Sequence, residues 1–179
     1  MDDNKKKIAF IINPISGTQG KEHILKWLDE KLDKNRYMPE VIYTEWAGHA
    51  VEIAARKAKE EVFAVVAIGG DGTINEIARS LVHTKTALGI IPCGSGNGLA
   101  RHLQIPMEAK KAIDIINEGL IDIIDYGKIN DVPFFCTCGV GFDAAVSQKF
   151  AGEKRRGSLT YIKNTVEEYL SYQPEPYEL

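Results

Sequence analysis

The stretch AVVAIGGDGTINEIARSL, residues 64–81, decides the fold. Its first part is a continuous apolar run, which ends in two glycines, an aspartate and a third glycine. Beyond them, Ile74, Ile77, Ala78 and Leu81 recur at the spacing of one helix face. The stretch predicts a buried strand, a turn of bare backbone and a helix, which together form the repeating unit of a parallel α/β sheet.

The same alternation extends to both sides of this stretch. Apolar runs predict strands at residues 7–12, 40–45, 62–68 and 87–92. Helical spacing predicts helices over residues 24–32, 49–60, 74–82 and 106–119, the last ending at a glycine. The predicted fold class is therefore α/β, a Rossmann-like parallel sheet flanked by helices on both faces.

The pattern changes near residue 120. Residues 120–138 resemble two strands joined by a short turn, and residues 141–150 and 158–172 have helical character. No further element follows them in the sequence. We expect residues 1–124 to form the α/β domain and residues 125–179 to be the truncated start of a second domain.

Composition narrows the class of protein. The chain has 179 residues with a net charge of -3, and this lack of a basic surplus disfavours nucleic-acid binding. Its three cysteines form no C-x-x-C pair, which favours reduced thiols in the cytoplasm. The apolar run near the N-terminus is too short for a signal peptide or a membrane span, so any membrane contact would be peripheral.

Three loops, NPISG (13–17), GGDGT (69–73) and GSGNG (94–98), each follow a predicted strand. They would meet at the carboxyl edge of the sheet, where ligands of such sheets bind. Bare backbone lets N–H groups approach a phosphate closely. An acidic residue such as Asp71 beside phosphates suggests that Mg²⁺ binds there or that the carboxylate accepts a proton from a hydroxyl. The structural alternative is that Asp71 caps the helix that follows.

Two common nucleotide motifs do not fit. GSGNGL lacks the third glycine of the dinucleotide fingerprint, because Leu99 occupies that position. SGTQGKE does not have the glycine spacing of a P-loop. It also lacks the Ser/Thr that follows the P-loop lysine, because Glu22 occupies that position. The sequence therefore disfavours an ordinary dinucleotide fold and a P-loop enzyme.

Several motifs together resemble the diacylglycerol kinase catalytic-domain family of lipid kinases, which includes bacterial diacylglycerol kinases and the sphingosine and ceramide kinases. The most specific pair is GGDGTINE (69–76) followed by PCGSGNGLAR (92–101). The resemblance also covers NPISG, Thr44 with GHA (48–50), D-x-G (125–127), GVGFDAAV (139–146) and KRRG (154–157).

The resemblance implies ATP-dependent phosphorylation of a lipid hydroxyl with Mg²⁺, with Asp71 as the catalytic residue near the metal and the transferred group. It implies a substrate-side role for Asp143. It places the following residues around ATP: Asn13, Ser16, Gly17, Thr44, Gly69, Gly70, Gly72, Thr73, Glu76, Gly94, Ser95, Gly96, Asn97 and Arg156.

Structural alternatives accompany several of these roles. Glu76 could belong to a solvated helix face, the KRRG cluster could be an exposed turn, and Asp143 could cap a helix. His49 and His102 receive no role. Trp27 and Trp46 are interpreted as packing residues rather than as platforms for a nucleobase.

Family members run well beyond this length, and their second, mostly β domain covers the cleft and supplies acceptor contacts. In the bacterial branch, that domain also supplies an acidic residue that acts as the base. We therefore expect the chain to be a fragment that carries the ATP site, weakly active or inactive by itself. NAD kinase and a nucleotide-binding protein without catalysis are the alternatives, and the identity of the lipid and a homodimer stay open.

Overall fold

The computed structural model describes residues 5–14, 21–152, 162, 165–167, 169, 172–174 and 176. The chain divides into two compact units, Met1–Cys136 and Thr137–Leu179. The domain boundary predicted after residue 124 stays a prediction.

The first unit contains a parallel four-stranded sheet with the strand order β2-β1-β3-β4 and a small antiparallel pair, β5-β6. This confirms the predicted Rossmann-like α/β class. Its strands are β1 (Lys6–Ile12), β2 (Tyr37–Tyr43), β3 (Ala64–Gly69), β4 (Ala87–Pro92), β5 (Gly127–Ile129) and β6 (Val132–Phe134). Its helices are α1 (Glu22–Lys31), α2 (His49–Lys59), α3 (Asp71–Leu81), α4 (Gly98–His102) and α5 (Ala109–Glu118).

Two hydrophobic cores lie on opposite faces of the sheet. Ile8, Phe10 and Ile12 of β1 pack on one face with α1 and α5, whereas Ala9 and Ile11 pack on the other with α2, α3 and α4. A strand that is covered on both faces needs apolar side chains at every position rather than at alternate ones. This is why the central strands are continuous apolar runs in the sequence.

Some boundaries differ from the prediction. Strand β2 begins at Tyr37 because it pairs with β1 from Lys6 onward, although its edge position leaves most of its residues exposed and without a clear apolar pattern. Helix α5 begins at Ala109 rather than at residue 106, and Gly119 closes it as predicted, with φ +67° just after the last helical residue. Helix α4 was not predicted, because five residues are too few for a helical period to be recognised.

The strand predicted from residue 120 onward is much shorter in the structure. Residues 120–126 have no regular secondary structure, and only Gly127–Ile129 pairs with Val132–Phe134. Leu120, Ile121 and Ile123 are exposed, so these apolar side chains lie outside the two cores.

The second unit contains α6 (Phe142–Gly152), which confirms the helix predicted over residues 141–150. The helix predicted over residues 158–172 lies mostly outside the described residues. Within the part of the chain that the structure describes, no helix has both the length and the apolar character needed to cross a membrane.

A buried lysine secures α2 to the sheet edge. The side chain of Lys57 is only 7% exposed, and its ammonium lies 2.8 Å from carboxylate oxygens of Glu40 and Glu60. Burial alone would lower the pKa of Lys57, but the hydrogen bonds and charges of the two glutamates outweigh it and raise the pKa. The charged form is therefore favoured by folding.

Replacing Lys57 by methionine is expected to lower the free energy of unfolding by about 1 kcal/mol or more, because both glutamates lose their partner. Because the pKa is raised on folding, this contribution is complete below the ordinary pKa of 10.5 and is lost as the pH rises through the higher folded value. Urea unfolding at neutral and alkaline pH measures both effects.

Lys85→Met is the matched control, because Lys85 pairs with Glu61 but is 87% exposed. This substitution should change the free energy of unfolding by no more than about 0.5 kcal/mol. Equal effects of the two substitutions would contradict a structural role for the Lys57 ion pairs.

Candidate functional site

The three loops singled out in the sequence follow neighbouring strands at one edge of the sheet. Strands β1, β3 and β4 are adjacent and parallel, and they end at Ile12, Gly69 and Pro92. The register aligns these ends, because Ile12 pairs with Ile68 and Gly69 pairs with Pro92. The geometry therefore brings the loop after β3 and the loop after β4 side by side.

Glycines allow these two loops to touch through their backbones. The Cys93 N–H donates to the Gly69 carbonyl oxygen at 2.8 Å. A Cβ atom added to Gly94 would lie 2.7 Å from the Cα of Gly70, closer than real Cβ atoms approach backbone. The contact therefore requires glycine at Gly94, and it fixes the spacing between the loops.

Asp71 joins the two loops through its carboxylate. The Asn97 N–H donates to Oδ2 at 2.8 Å, and the Gly98 N–H donates to Oδ1 at 2.7 Å. The structural alternative, in which Asp71 caps its own helix, is wrong, because Gly70 is the N-cap residue of α3 and the Asp71 carboxylate caps the start of α4 across the loop contact. Each oxygen has a second lone pair that these bonds leave for another partner.

Asn97 stabilises the loop after β4 from inside. It is buried and adopts φ +54°, its Oδ1 accepts from the Gly94 N–H at 2.8 Å, and its Nδ2 donates to the Gly94 carbonyl oxygen at 2.7 Å. The side chain therefore shapes the loop. Ser95 and Gly96, by contrast, are exposed at the surface of the same loop.

A hydrogen bond links the NPISG loop to the GGDGT loop. The Asn13 amide donates to Thr73 Oγ1 at 3.4 Å, and the Thr73 side chain packs against Gly69. Thr44 is buried at the end of β2, where its N–H donates to the Ile12 carbonyl oxygen at 2.9 Å. These predicted residues thus lie along one continuous edge, from β2 to β3.

Not every predicted residue can be placed at this edge. Ser16, Gly17 and Arg156 lie outside the described residues. Glu76 lies in α3, one turn after Asp71, and is half-buried. Asp143 lies in the second unit, in the first turn of α6, with its carboxylate packed against Gly139.

Lys21 is a neighbour of the site that the sequence analysis missed. Its ammonium donates to the Asn13 carbonyl oxygen, next to Cys93. Burial lowers the pKa of Lys21, although the charge of the nearby Cys93 thiolate acts in the opposite direction. Burial likewise raises the pKa of the Cys93 thiol, and Lys21 partly opposes this. The signal for Lys21 in the sequence was its position directly after Gly20, at the end of the loop that follows β1.

Arg101 is a second residue without an assigned role in the sequence analysis. Its Nε donates to the Gly96 carbonyl oxygen at 2.8 Å, from the turn that Asp71 caps. A Cβ atom on Gly96 would lie 2.8 Å from Asp71 Oδ2, so the guanidinium, the loop and the carboxylate form one cluster.

The residues present suit a magnesium ion only as part of a metal–phosphate complex. No group of three or more His, Cys, Asp or Glu side chains that could hold a metal occurs in the described part of the chain. Asp71 nevertheless offers one carboxylate with unused lone pairs. Mg²⁺ is commonly held by one or two carboxylates together with substrate phosphates and waters, so the donor set fits that mode.

The family model for the diacylglycerol kinase catalytic domain matches residues 7–129. That range contains the four-stranded sheet apart from its first residue, Lys6, and both touching glycine loops. The chain therefore belongs to the diacylglycerol kinase catalytic-domain family.

Proteins named diacylglycerol kinase are similar to the chain in sequence. A diacylglycerol kinase of Staphylococcus saprophyticus is 35% identical over 128 residues, which cover 70% of this chain and 42% of that protein. A diacylglycerol kinase of Bacillus subtilis is 32% identical over 180 residues, which cover 97% of this chain and 59% of that protein. The chain thus spans about half the length of these relatives.

Structural similarity agrees with the sequence. A crystal structure of a diacylglycerol kinase from Bacillus anthracis matches with a TM-score of 0.63 and 25% sequence identity. The match covers 72% of this chain and 48% of that one. The arrangement of strands and helices is therefore shared with a solved member of the family.

The loop contact gives a paired prediction. Gly94→Ala should lower the free energy of unfolding by about 1–3 kcal/mol, because its methyl group would meet the Gly70 backbone. Gly72→Ala should leave stability equal or raise it by up to about 1 kcal/mol, because Gly72 lies in α3 with no atom within 4 Å of the added Cβ. Urea unfolding of both variants measures the difference. Equal stability of the two would show that the loops do not need to touch.

The Asp71 cap gives a second prediction. Asp71→Asn should lower the free energy of unfolding by about 1–3 kcal/mol, because an amide has only one acceptor oxygen for two backbone N–H groups. Asp122→Asn, at an exposed position without regular structure, is the control and should change it by less than about 0.5 kcal/mol. A variant Asp71→Asn as stable as the control would mean that the cap contributes nothing.

Proposed function

We propose that the protein transfers the terminal phosphoryl group of ATP to the hydroxyl of a lipid, with the first unit as the ATP site. The observation that carries this proposal is the direct contact between the two glycine loops at the carboxyl edge of the sheet. Bare backbone at a strand-to-helix junction suits phosphate groups, because N–H groups and the helix N-terminus face the anion. Membership of the family supports phosphoryl transfer to a lipid.

In this proposal the nucleotide lies along the edge from β2 to β4. The nucleoside lies at the end of this edge that contains Thr44 and Asn13. The phosphates lie at the other end, beside Gly70, Gly72 and Ser95. Gly72 is the point of closest approach, because no protein atom lies within 4 Å of its would-be Cβ. Thr73 and Asn97 shape the loops.

The reaction asks the protein for positioning and for neutralisation of charge. The lipid hydroxyl gives its proton to a carboxylate, for which Asp71 is the candidate in this chain, its oxygen forms a bond to the terminal phosphorus, and the bond to the ADP oxygen breaks. Mg²⁺ bound to the phosphates would supply positive charge to these oxygens. Asp71 first holds the loops together and directs its remaining lone pairs to the metal, its waters or the acceptor hydroxyl.

The acceptor belongs to the class of lipid alcohols, such as diacylglycerol or a sphingoid base. A lipid acceptor places the protein at a membrane surface by peripheral contact, on the cytoplasmic side where ATP is present. Asp143 is proposed on the acceptor side and Arg156 on the phosphate side, both on the basis of the family resemblance.

Calorimetric titration with Mg-ATP and, separately, with NAD tests the first step. We expect Mg-ATP to bind and NAD not to bind. Gly72→Ala should weaken Mg-ATP binding at least tenfold without loss of stability, because its methyl group would occupy the space for a phosphate. Binding of NAD in place of ATP would make a dinucleotide kinase the better proposal.

The second step is tested by transfer of labelled phosphate from ATP to diacylglycerol or sphingosine in mixed micelles. The intact natural protein that contains this chain should phosphorylate one of them, and the chain alone should do so weakly or not at all. Mg-ATP binding without transfer by the intact protein to any lipid of the panel would instead indicate a nucleotide-binding protein without catalysis.

A further inference from the structure

Trp46 is not the packing residue that the sequence analysis expected. It is 53% exposed, in the turn between β2 and α2. Trp27, the second tryptophan of the chain, does pack, because it lies against the core on the α1 and α5 face with the Lys110 ammonium 5.0 Å from its ring centroid. About half of the Trp46 side chain is therefore available for contact at the sheet edge.

The Trp46 ring is held in a fixed orientation. His49 stacks on it with ring centroids 3.8 Å apart and an angle of 6° between the planes. The Glu45 N–H donates to His49 Nδ1 at 3.1 Å, and the His49 N–H donates to the Trp46 carbonyl oxygen at 3.3 Å. A ring supported on one side and still half exposed is pre-organised to accept a second planar group.

The position of this Trp46–His49 pair matches one end of the candidate site. Trp46 follows Thr44 by two residues at the carboxyl end of β2. Helix α2, which begins at His49, lies on the same face of the sheet as α3, which begins at Asp71. One strand separates β2 from β3, so the two ends are about 10 Å apart, a span that a ribose and its phosphates can bridge.

We propose that Trp46 stacks on the nucleobase of the bound nucleotide, with His49 as the positioning residue behind it. This inference rests on the proposed function, because it assumes that the glycine loops hold the phosphates of the same molecule. Stacking between a base and an aromatic ring needs no specific hydrogen bonds, so the exposed ring is sufficient for it.

The first test uses fluorescence. Trp27→Phe leaves Trp46 as the single tryptophan of the chain. Mg-ATP should quench its emission with saturation, whereas Mg-tripolyphosphate, which has no base, should not. Equal quenching by both compounds would overturn the proposal. A response to vesicles of anionic phospholipid but not to Mg-ATP would overturn it in favour of membrane contact.

The second test uses calorimetry. Trp46→Leu should weaken Mg-ATP binding about tenfold while leaving the affinity for Mg-tripolyphosphate unchanged, and Trp46→Phe should retain most of the ATP affinity. Trp27→Phe is the matched control and should bind as the unchanged protein does. Because Trp46 is exposed, the leucine variant should unfold at the same urea concentration, which confirms that it folds.

The outcomes separate the two proposals. Unchanged Mg-ATP affinity in Trp46→Leu would overturn the stacking inference and leave the ATP site intact. Equal losses for Mg-ATP and Mg-tripolyphosphate would also overturn it, because they would indicate a disturbed edge rather than a lost stack. Absence of Mg-ATP binding in the unchanged protein would overturn the proposed function, and the inference with it.

Discussion

The two hydrogen bonds from the Asn97 and Gly98 amides to the Asp71 carboxylate are the interaction on which the site depends. They tie the first turn of α3 to the first turn of α4, although the residues are 26 and 27 positions apart in sequence. Glycines make the bonds feasible, because only bare backbone lets the loops approach so closely. A charged acceptor strengthens both bonds, since charge-assisted hydrogen bonds are about twice as strong as neutral ones.

This arrangement changes how the aspartate of GGDGT is understood. A carboxylate among glycines suggests chemistry, and the proposed phosphoryl transfer gives Asp71 a role in it. The structure shows that the same carboxylate also holds the site together. Loss of activity on its replacement would therefore combine a structural and a chemical effect, and stability must be measured before activity is interpreted.

Polar side chains around the loops form further contacts. Asn97 fixes the loop after β4, Asn13 reaches Thr73, and Lys21 reaches Asn13 from the start of α1. Arg101 holds the Gly96 carbonyl oxygen from within α4. These contacts position the loops rather than providing a reactive group, which agrees with a reaction in which the protein supplies mainly geometry and charge.

The sequence by itself determined the α/β class, because strands covered on both faces must be apolar throughout and the helices between them must be amphipathic. It also determined the glycine loops, whose positions after strands β1, β3 and β4 follow from parallel connectivity. Only the tertiary structure decided that Asp71 caps α4, that Lys21 lies at Asn13, and that Trp46 is exposed beside His49. The Asp71 contact joins residues 27 positions apart in sequence, and the placement of Lys21 and the exposure of Trp46 depend on how the surrounding chain packs. Residue spacing alone does not determine these contacts.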